Sequence, residues 1–381
     1  MLPVNKMNSI QGNGAFVYRL STILLSLLAL IGQPRAAISK PASIPTFMAG
    51  GDISLLTHEE QLGTIYRVNG KPVDFLTLAK RAGWNTMRLR LWVNPTGKDI
   101  YVNNLKYTQT LGQRIKAAGF TLILDIHYSD TWADPGHQAK PAQWSALSFN
   151  ALTNQVHDYT KQVIEAMIRA GAEPDIVQIG NEIRAGMLVP DGKDWGPGND
   201  FKKLGILLKA GIQGVKDGSV GHETPLIMIH IDRGADWAGT KWFFDGIDGQ
   251  GVNYDLIGES YYPAFHGSLS SARACLDNIA SQLHKPVVIV ETGYPYSGSV
   301  AEQLKPGGAL EYPVTPAGQK AFLQDLVNCV HSTPGGYGRG VIYWAPEWIP
   351  ASGMDGSWDT KTLFDDHGNA LPAVSVLKGA Q

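Results

Sequence analysis

Two glutamates each close an apolar, β-rich run: Glu182 ends Asp175-Ile-Val-Gln-Ile-Gly-Asn-Glu, and Glu291 ends Pro286-Val-Val-Ile-Val-Glu. Glu291 follows four β-branched residues with nothing local to neutralise it, and burying such a charge unpaired is costly. Two carboxyl groups, one to deliver a proton and one to attack carbon or activate water, are what glycosidic bond cleavage commonly requires. A single strand ending in Glu is weak evidence, because such groups often cap the next helix or pair with a neighbour. Asn-Glu after a fourth strand together with Glu after a seventh is much more specific.

The pair can act together only if the fold brings both strand ends to one face. Strands are expected at Met48 to Ile53, Thr86 to Trp92, Thr121 to His127, Asp175 to Ile179, Pro225 to Ile231, Leu256 to Tyr261, Pro286 to Glu291 and Gly340 to Trp344. Helices are expected between them, at Phe75 to Ala82, Thr108 to Ala118, Thr153 to Arg169, Phe201 to Lys216, Ala272 to His284 and Pro316 to His331. Leu111, Ile115 and Ala118 form one apolar helical face, and Gly119 stops that helix. Such alternation is the signature of βα units around a parallel sheet. Eight units fit an α/β fold of one (β/α)8 TIM barrel, a single domain over residues 47–381.

The polar residues fall where such a barrel builds its sites. Asp125, His127, Asn181, Glu182, His230, Asp232, Glu259, Tyr261, Glu291 and Trp344 all lie at or just after strand ends, which share one face. Alternation in the second strand puts Arg88, Arg90 and Trp92 on one side and Met87, Leu89 and Leu91 on the other. An inward Arg serves either the site or a structural ion pair.

Composition bounds the remaining choices. The chain has 381 residues, 44% apolar and 17% charged, enough to bury a large core. Its formal charge of −2, from 32 basic and 34 acidic residues without long blocks, offers no footprint for nucleic acid. Lys6 and Arg19 precede an apolar run from Leu20 to Ile31, too short to span a bilayer comfortably and followed by Gly32, Pro34, Ala36 and Ala37. Residues 1–37 therefore read as a signal peptide or N-terminal anchor and residues 38–46 as a short linker, for a secreted or periplasmic product. Cys275 and Cys329 are compatible with one disulfide or with two buried thiols. The histidines do not form a ligand-spaced cluster for zinc.

With the two glutamates at those strand ends, the chain resembles the large clan of retaining glycosidases built on (β/α)8 barrels. The resemblance implies that Glu182 is the acid/base and Glu291 the ionised nucleophile, about 5 Å apart. It also implies that Arg88 or Arg90 holds Glu291 ionised, that the Tyr261 hydroxyl orients it, and that Asn181 meets the sugar 2-hydroxyl.

A closer match lies in Asn85-Thr-Met-Arg-Leu-Arg-Leu-Trp-Val-Asn-Pro95, Asp125-Ile-His-Tyr-Ser-Asp-Thr-Trp-Ala-Asp-Pro-Gly-His137 with Lys140-Pro-Ala-Gln-Trp144, and Asp175 to Glu182 with Gly186-Met-Leu. It continues through Glu291-Thr-Gly-Tyr-Pro295, Trp358-Asp, Leu363-Phe and Gly368-Asn-Ala-Leu-Pro372. These stretches resemble the endo-β-1,4-galactanases that cut arabinogalactan, over essentially the whole chain after the linker. The resemblance implies endo-hydrolysis of β-1,4-galactan, the side-chain polymer of plant pectin, by a monomer without a cofactor. Trp92, His127, Trp132, Asp134 and Trp344 become groove residues, with Asp125 and His230 beside them; Trp84 and Trp144 read better as core. Some bacterial members bind calcium after the seventh strand. Here Ser297 to Thr315 holds only Glu302 and Glu311 as acidic groups, so no required metal is expected. A β-mannanase or cellulase on the same barrel, or a carbohydrate-binding barrel without catalysis, are the competing expectations.

Overall fold

The structure, a computed structural model, describes residues 44–196, 200–349, 351 and 354–379. The expected leader, residues 1–37, lies outside them. Eight parallel strands close a barrel: β1 Met48–Asp52, β2 Thr86–Leu91, β3 Thr121–Ile126, β4 Ile176–Ile179, β5 Leu226–Ile231, β6 Leu256–Ser260, β7 Val287–Glu291 and β8 Gly338–Trp344. Each agrees with its expected span to within two residues.

The longer helices between the strands are α1 Phe75–Ala82, α2 Leu105–Ala117, α3 Phe149–Arg169, α4 Lys202–Gly218, α5 Trp237–Asp248, α6 Leu269–Asn278 and α7 Pro316–His331. Side chains of Asp74, Asn104, Ser148, Asp236, Ser268 and Thr315 accept backbone N–H groups at the starts of α1, α2, α3, α5, α6 and α7. Helix α5 is the one of these seven for which no span was expected from the sequence; the shorter helices Leu56–Gln61, Pro263–His266 and Val300–Gln303 had none either. After β8 a short 3-10 turn, Pro372–Val376, stands in the place of an eighth long helix.

The barrel interior changes character along its axis. Met48, Ile123, Ile176, Met228, Leu256, Val288, Val290 and Ile342 fill it toward the strand starts. Toward the strand ends the buried side chains become Asp52, Arg88, Asp125, Gln178, His230, Ser260 and Glu291. The apolar layer keeps the sheet closed, and the polar layer above it must satisfy itself or a ligand.

One departure from regular pairing decides the chemistry. Glu259 pairs with Ile289, but Ser260 pairs with Glu291, so β7 carries one extra residue against β6. Val288 and Val290 already face inward, and strict alternation would turn Glu291 toward the helices. The bulge turns it back into the barrel, a recurrent use of bulges to re-aim a side chain.

Candidate active site

Arg88 is the centre of the polar layer. Its guanidinium has five N–H donors, and the structure supplies five acceptors from four strands and one strand-end turn. Nη1 meets Asp52 Oδ2 at 2.7 Å and Glu291 Oε1 at 2.9 Å. Nη2 meets Asp125 Oδ2 at 2.8 Å and Asn181 Oδ1 at 2.8 Å, and Nε meets Gln178 Oε1 at 3.1 Å. Burial opposes a charge here, yet Asp125, Glu291 and Asp52 overcome it and raise the Arg88 proton affinity. The group stays a cation.

The two glutamates sit in contrasting surroundings. Glu291 takes Arg88 at one oxygen, and the Tyr262 hydroxyl donates to the other at 3.0 Å. Burial lifts its pKa above the usual carboxylate value, Asp52 and Asp125 add to this, and Arg88 and Tyr262 pull it back. Glu182 has no counter-ion of that kind. Burial first, then the charges of Glu291 and Asp232, push its carboxyl well above the ordinary range. Of the two, Glu182 is therefore the more readily protonated and Glu291 the more readily ionised.

Glu182 is delivered by a tight turn, Gly180-Asn181-Glu182, in which Glu182 itself has φ 47°. A β-carbon on Gly180, whose φ is 79°, would lie 2.7 Å from Ile183 Cγ2. The turn therefore requires glycine there. A non-glycine residue held in the left-handed region at a strand end is the kind of local strain that clusters at functional sites.

Both carboxyl groups open into one cleft of about 470 Å³. Arg88, Arg90, His127, Trp132, Asp134, Asn181 and Trp344 line it as expected. The Trp132, Trp344 and Trp358 rings form a continuous wall, with centroids 5.8 Å apart for the first pair and 4.5 Å for the second. Arg90 lies 4.6 Å from the Trp132 ring, bonds Asn103 through Nε, and its Nη1 and Nη2 have no hydrogen-bond partner among the described residues. Both nitrogens are buried, and Nη1 lies 3.9 Å from Asp52 Oδ1.

Four expected site residues stand behind the lining. Trp92 is fully buried, edge-on to Trp132, and its Nε1 donates to His127 Nδ1 at 3.1 Å. Ala133 N–H donates to the same nitrogen, so the His127 proton sits on Nε2 and is given to Asp125 at 2.8 Å. Asp125 and His230 are likewise wholly buried supports. Tyr261, expected to bond Glu291, points the other way: its hydroxyl donates to Gly267 O, and its ring packs in the helix-side core. Leu256 faces inward, so alternation along β6 carries Ser260 and then Tyr262 inward and turns Tyr261 out. The sequence expectation erred by one residue.

Asp52, Gln178, Ser260, Tyr262, Trp348 and Trp358 are the site residues that sequence reasoning missed. Strand parity could have found the first four. The two tryptophans come from the irregular segment after β8, which carries no periodic signal.

The chain that builds this aromatic cleft around two unequal carboxyl groups matches a known family. The model of glycosyl hydrolase family 53 covers residues 48–377. The chain belongs to that family. A relative named probable arabinogalactan endo-beta-1,4-galactanase A, from Neosartorya fischeri, is 38% identical over 351 residues, covering 90% of this chain and 94% of the relative. The GH53 catalytic domain of Ignisphaera aggregans superposes with TM-score 0.80 at 31% identity, covering 88% and 96% of the two chains. A structure from a study of two fungal beta-1,4-galactanases does so with TM-score 0.76 at 34% identity, covering 87% and 99%.

Outside the cleft, this family 53 chain uses its remaining singled-out residues structurally. Trp84 and Trp144 are core, the former donating to Val374 O. Asp130 accepts the amides of Asn94 and Ala142 and ties the loops after β2 and β3 together. Cys275 and Cys329 are buried free thiols, which resolves the open choice between bridge and thiols. Glu302 closes a capping box with Ser299, and Glu311 accepts the Leu269 amide. No helix among the described residues is long and apolar enough to cross a membrane.

Proposed function

We propose that the chain is an endo-β-1,4-galactanase that cuts the galactan side chains of pectin with retention of anomeric configuration. The observation that carries this is the unequal pair, Glu182 buried without a counter-ion among the described residues and Glu291 bonded to Arg88 and Tyr262, inside a family 53 barrel. Galactanase names among the relatives supply the sugar.

In the proposed first step, Glu291 attacks the anomeric carbon while Glu182 gives its proton to the departing oxygen, leaving a glycosyl ester on Glu291. In the second, Glu182 takes a proton from water, which attacks the same carbon and frees Glu291. Asn181 is placed by Arg88 and Ala133 O to meet a sugar hydroxyl. Trp132, Trp344 and Trp358 offer faces to the apolar sides of sugar rings, Arg90 backs the Trp132 ring, and Asp134 offers polar contacts to hydroxyls. Both acidic groups between residues 297 and 315 are committed to local bonds, so the reading includes no metal.

Residues 1–37 fit this reading as an export segment removed near the linker, giving a monomer that acts outside the cell on plant cell-wall polysaccharide. Linear galactan, β-mannan and carboxymethylcellulose, offered in parallel, test the substrate assignment. Cleavage of galactan alone supports it, and cleavage of either other polymer with galactan untouched overturns it.

Tyr262 gives a sharper check on the site. Its O–H favours the Glu291 carboxylate, so Tyr262→Phe raises the pKa of Glu291 and moves the acid limb of kcat/KM to higher pH. The loss in kcat is expected to be about 100-fold. An unmoved acid limb removes Tyr262 from this role. Tyr261→Phe, at the neighbouring outward position, should leave that limb in place.

A further inference from the structure

Glu182 is the near end of a row of buried polar atoms. Its Oε1 lies 2.6 Å from Ser260 Oγ, which lies 2.9 Å from His230 Nε2. On the far side of the ring, His230 Nδ1 lies 2.9 Å from Asn181 Oδ1. Ser260 and His230 are both fully buried.

The direction of the hydrogens along this row is set from its far end. Asn181 Nδ2 donates to Ala133 O at 2.8 Å, and Asn181 Oδ1 accepts Arg88 Nη2 at 2.8 Å, which fixes the amide with its oxygen toward His230. Gln178 Nε2 is also 3.1 Å from His230 Nδ1, but its two hydrogens have shorter bonds, to Asp125 Oδ1 at 2.6 Å and Gly180 O at 2.9 Å. The Glu182 backbone N–H is also directed at Nδ1, but at 3.4 Å it is the longest of these contacts, well beyond the 2.9 Å to Asn181 Oδ1. A ring nitrogen 2.9 Å from a fixed acceptor carries a hydrogen, so the His230 proton belongs on Nδ1. Burial, then the charge of Arg88, keeps the ring neutral, so Nε2 presents a lone pair. Ser260 must give its only hydrogen to that lone pair. Its oxygen then faces Glu182 as an acceptor, which is satisfied only by a protonated carboxyl.

We propose that Ser260 and His230 form a relay of fixed polarity that holds Glu182 in its acid form until the departing oxygen takes the proton. The inference rests on the reading of Glu182 as the acid. When the proton leaves, the O–H bond of Glu182 breaks, its electron pair stays on the carboxylate, and an O–H bond forms on the departing sugar. The Ser260 hydroxyl keeps its bond to His230 throughout, so no proton leaves Ser260 or His230 and the new carboxylate faces a lone pair until it takes a proton from water. Ser260 and His230 are positioning residues in this scheme.

The sign of one substitution separates this relay from an ordinary hydrogen bond. A serine that always donates to Glu182 would stabilise the carboxylate, so removing it would move the basic limb of kcat/KM upward. The relay stabilises the acid, so Ser260→Ala should move that limb down by about one pH unit. The other groups that bear on Glu182, namely Glu291 from β7, Asp232 from the end of β5 with its partner Arg184, and Asp134 from the loop after β3, are untouched by the change.

The test is the pH profile of wild type and Ser260→Ala on galactan, together with a dinitrophenyl β-galactobioside whose leaving group needs no proton. A lowered basic limb, with a much smaller loss on the aryl substrate than on galactan, is the expected result; a raised or unmoved limb overturns the relay. Long-range proton–nitrogen spectra of histidine-labelled wild type give a readout that does not depend on the variant folding. Hydrogen on His230 Nδ1 is expected, and hydrogen on Nε2 overturns the proposal. A wild type inactive on both substrates counts against the galactanase reading, and the His230 tautomer then decides the relay by itself.

Discussion

Replacing Glu291 by Ala should lower kcat on galactan by about 10⁵-fold, because it removes the group that forms the covalent intermediate. The fold should survive. Glu291 is one of three carboxylates around Arg88, and Asp52 and Asp125 remain to hold the guanidinium. The space vacated beside Arg88 should admit a small anion, so azide or formate should restore part of the activity on a dinitrophenyl galactobioside. Azide should give a galactobiosyl azide of inverted configuration, identified by its anomeric proton coupling. Full activity in the variant would remove Glu291 from the mechanism. A large loss with no rescue and weaker binding would make it a binding group instead.

Arg88→Lys should have the second largest effect, and its cause is geometric. Lysine keeps the charge but has three donors on a flexible stem, where Arg88 fills five acceptors with one planar fork. At least two of the partners among Asp52, Asp125, Gln178, Asn181 and Glu291 would lose their bond inside the barrel. A stability loss of about 3 kcal/mol and a fall in kcat/KM of about 1000-fold are expected, read from urea unfolding and from galactan kinetics. The two effects share one cause, since the same guanidinium joins strand ends and holds Glu291 ionised. A variant of normal stability with reduced activity would show that Arg88 serves the site alone.

The fold was legible because its signals are repetitive. Each β-rich run between amphipathic helices carries the same message, and their boundaries fell within two residues. Parity along β2 placed Arg88 and Arg90 inward, and the alternation of Met87, Leu89 and Leu91 on the other side made that choice unambiguous. On β6 the run Leu256-Ile-Gly-Glu-Ser mixes apolar and polar residues on both faces, so neither parity stood out, and Tyr261 was expected where Tyr262 lies. Glu259 shows why: it faces the helices, where Thr240 and the Arg233 amide satisfy it.

Glu291 reached its place through a bulge that no residue pattern announces. The four β-branched residues before it predicted a strand, and only the pairing with β6 shows the extra residue that turns the carboxylate inward. Trp92 failed for the opposite reason. It lies on the inward side of its strand as expected, but Trp132 from the next loop covers it, and no local pattern records what a loop will cover. Asp52 was overlooked because it ends Met48-Ala-Gly-Gly-Asp, a run of small residues whose polar end drew no attention beside the bulkier strands.

Proton spectra of linear β-1,4-galactan in the first minutes of hydrolysis test the central claim most directly, because the anomer released before mutarotation reports both the bond cut and the path taken. Cleavage of the polymer with new reducing ends appearing first as the β anomer is the predicted result. Release of the α anomer first would contradict the double displacement on Glu291, and no new reducing ends from galactan would contradict the proposed activity itself.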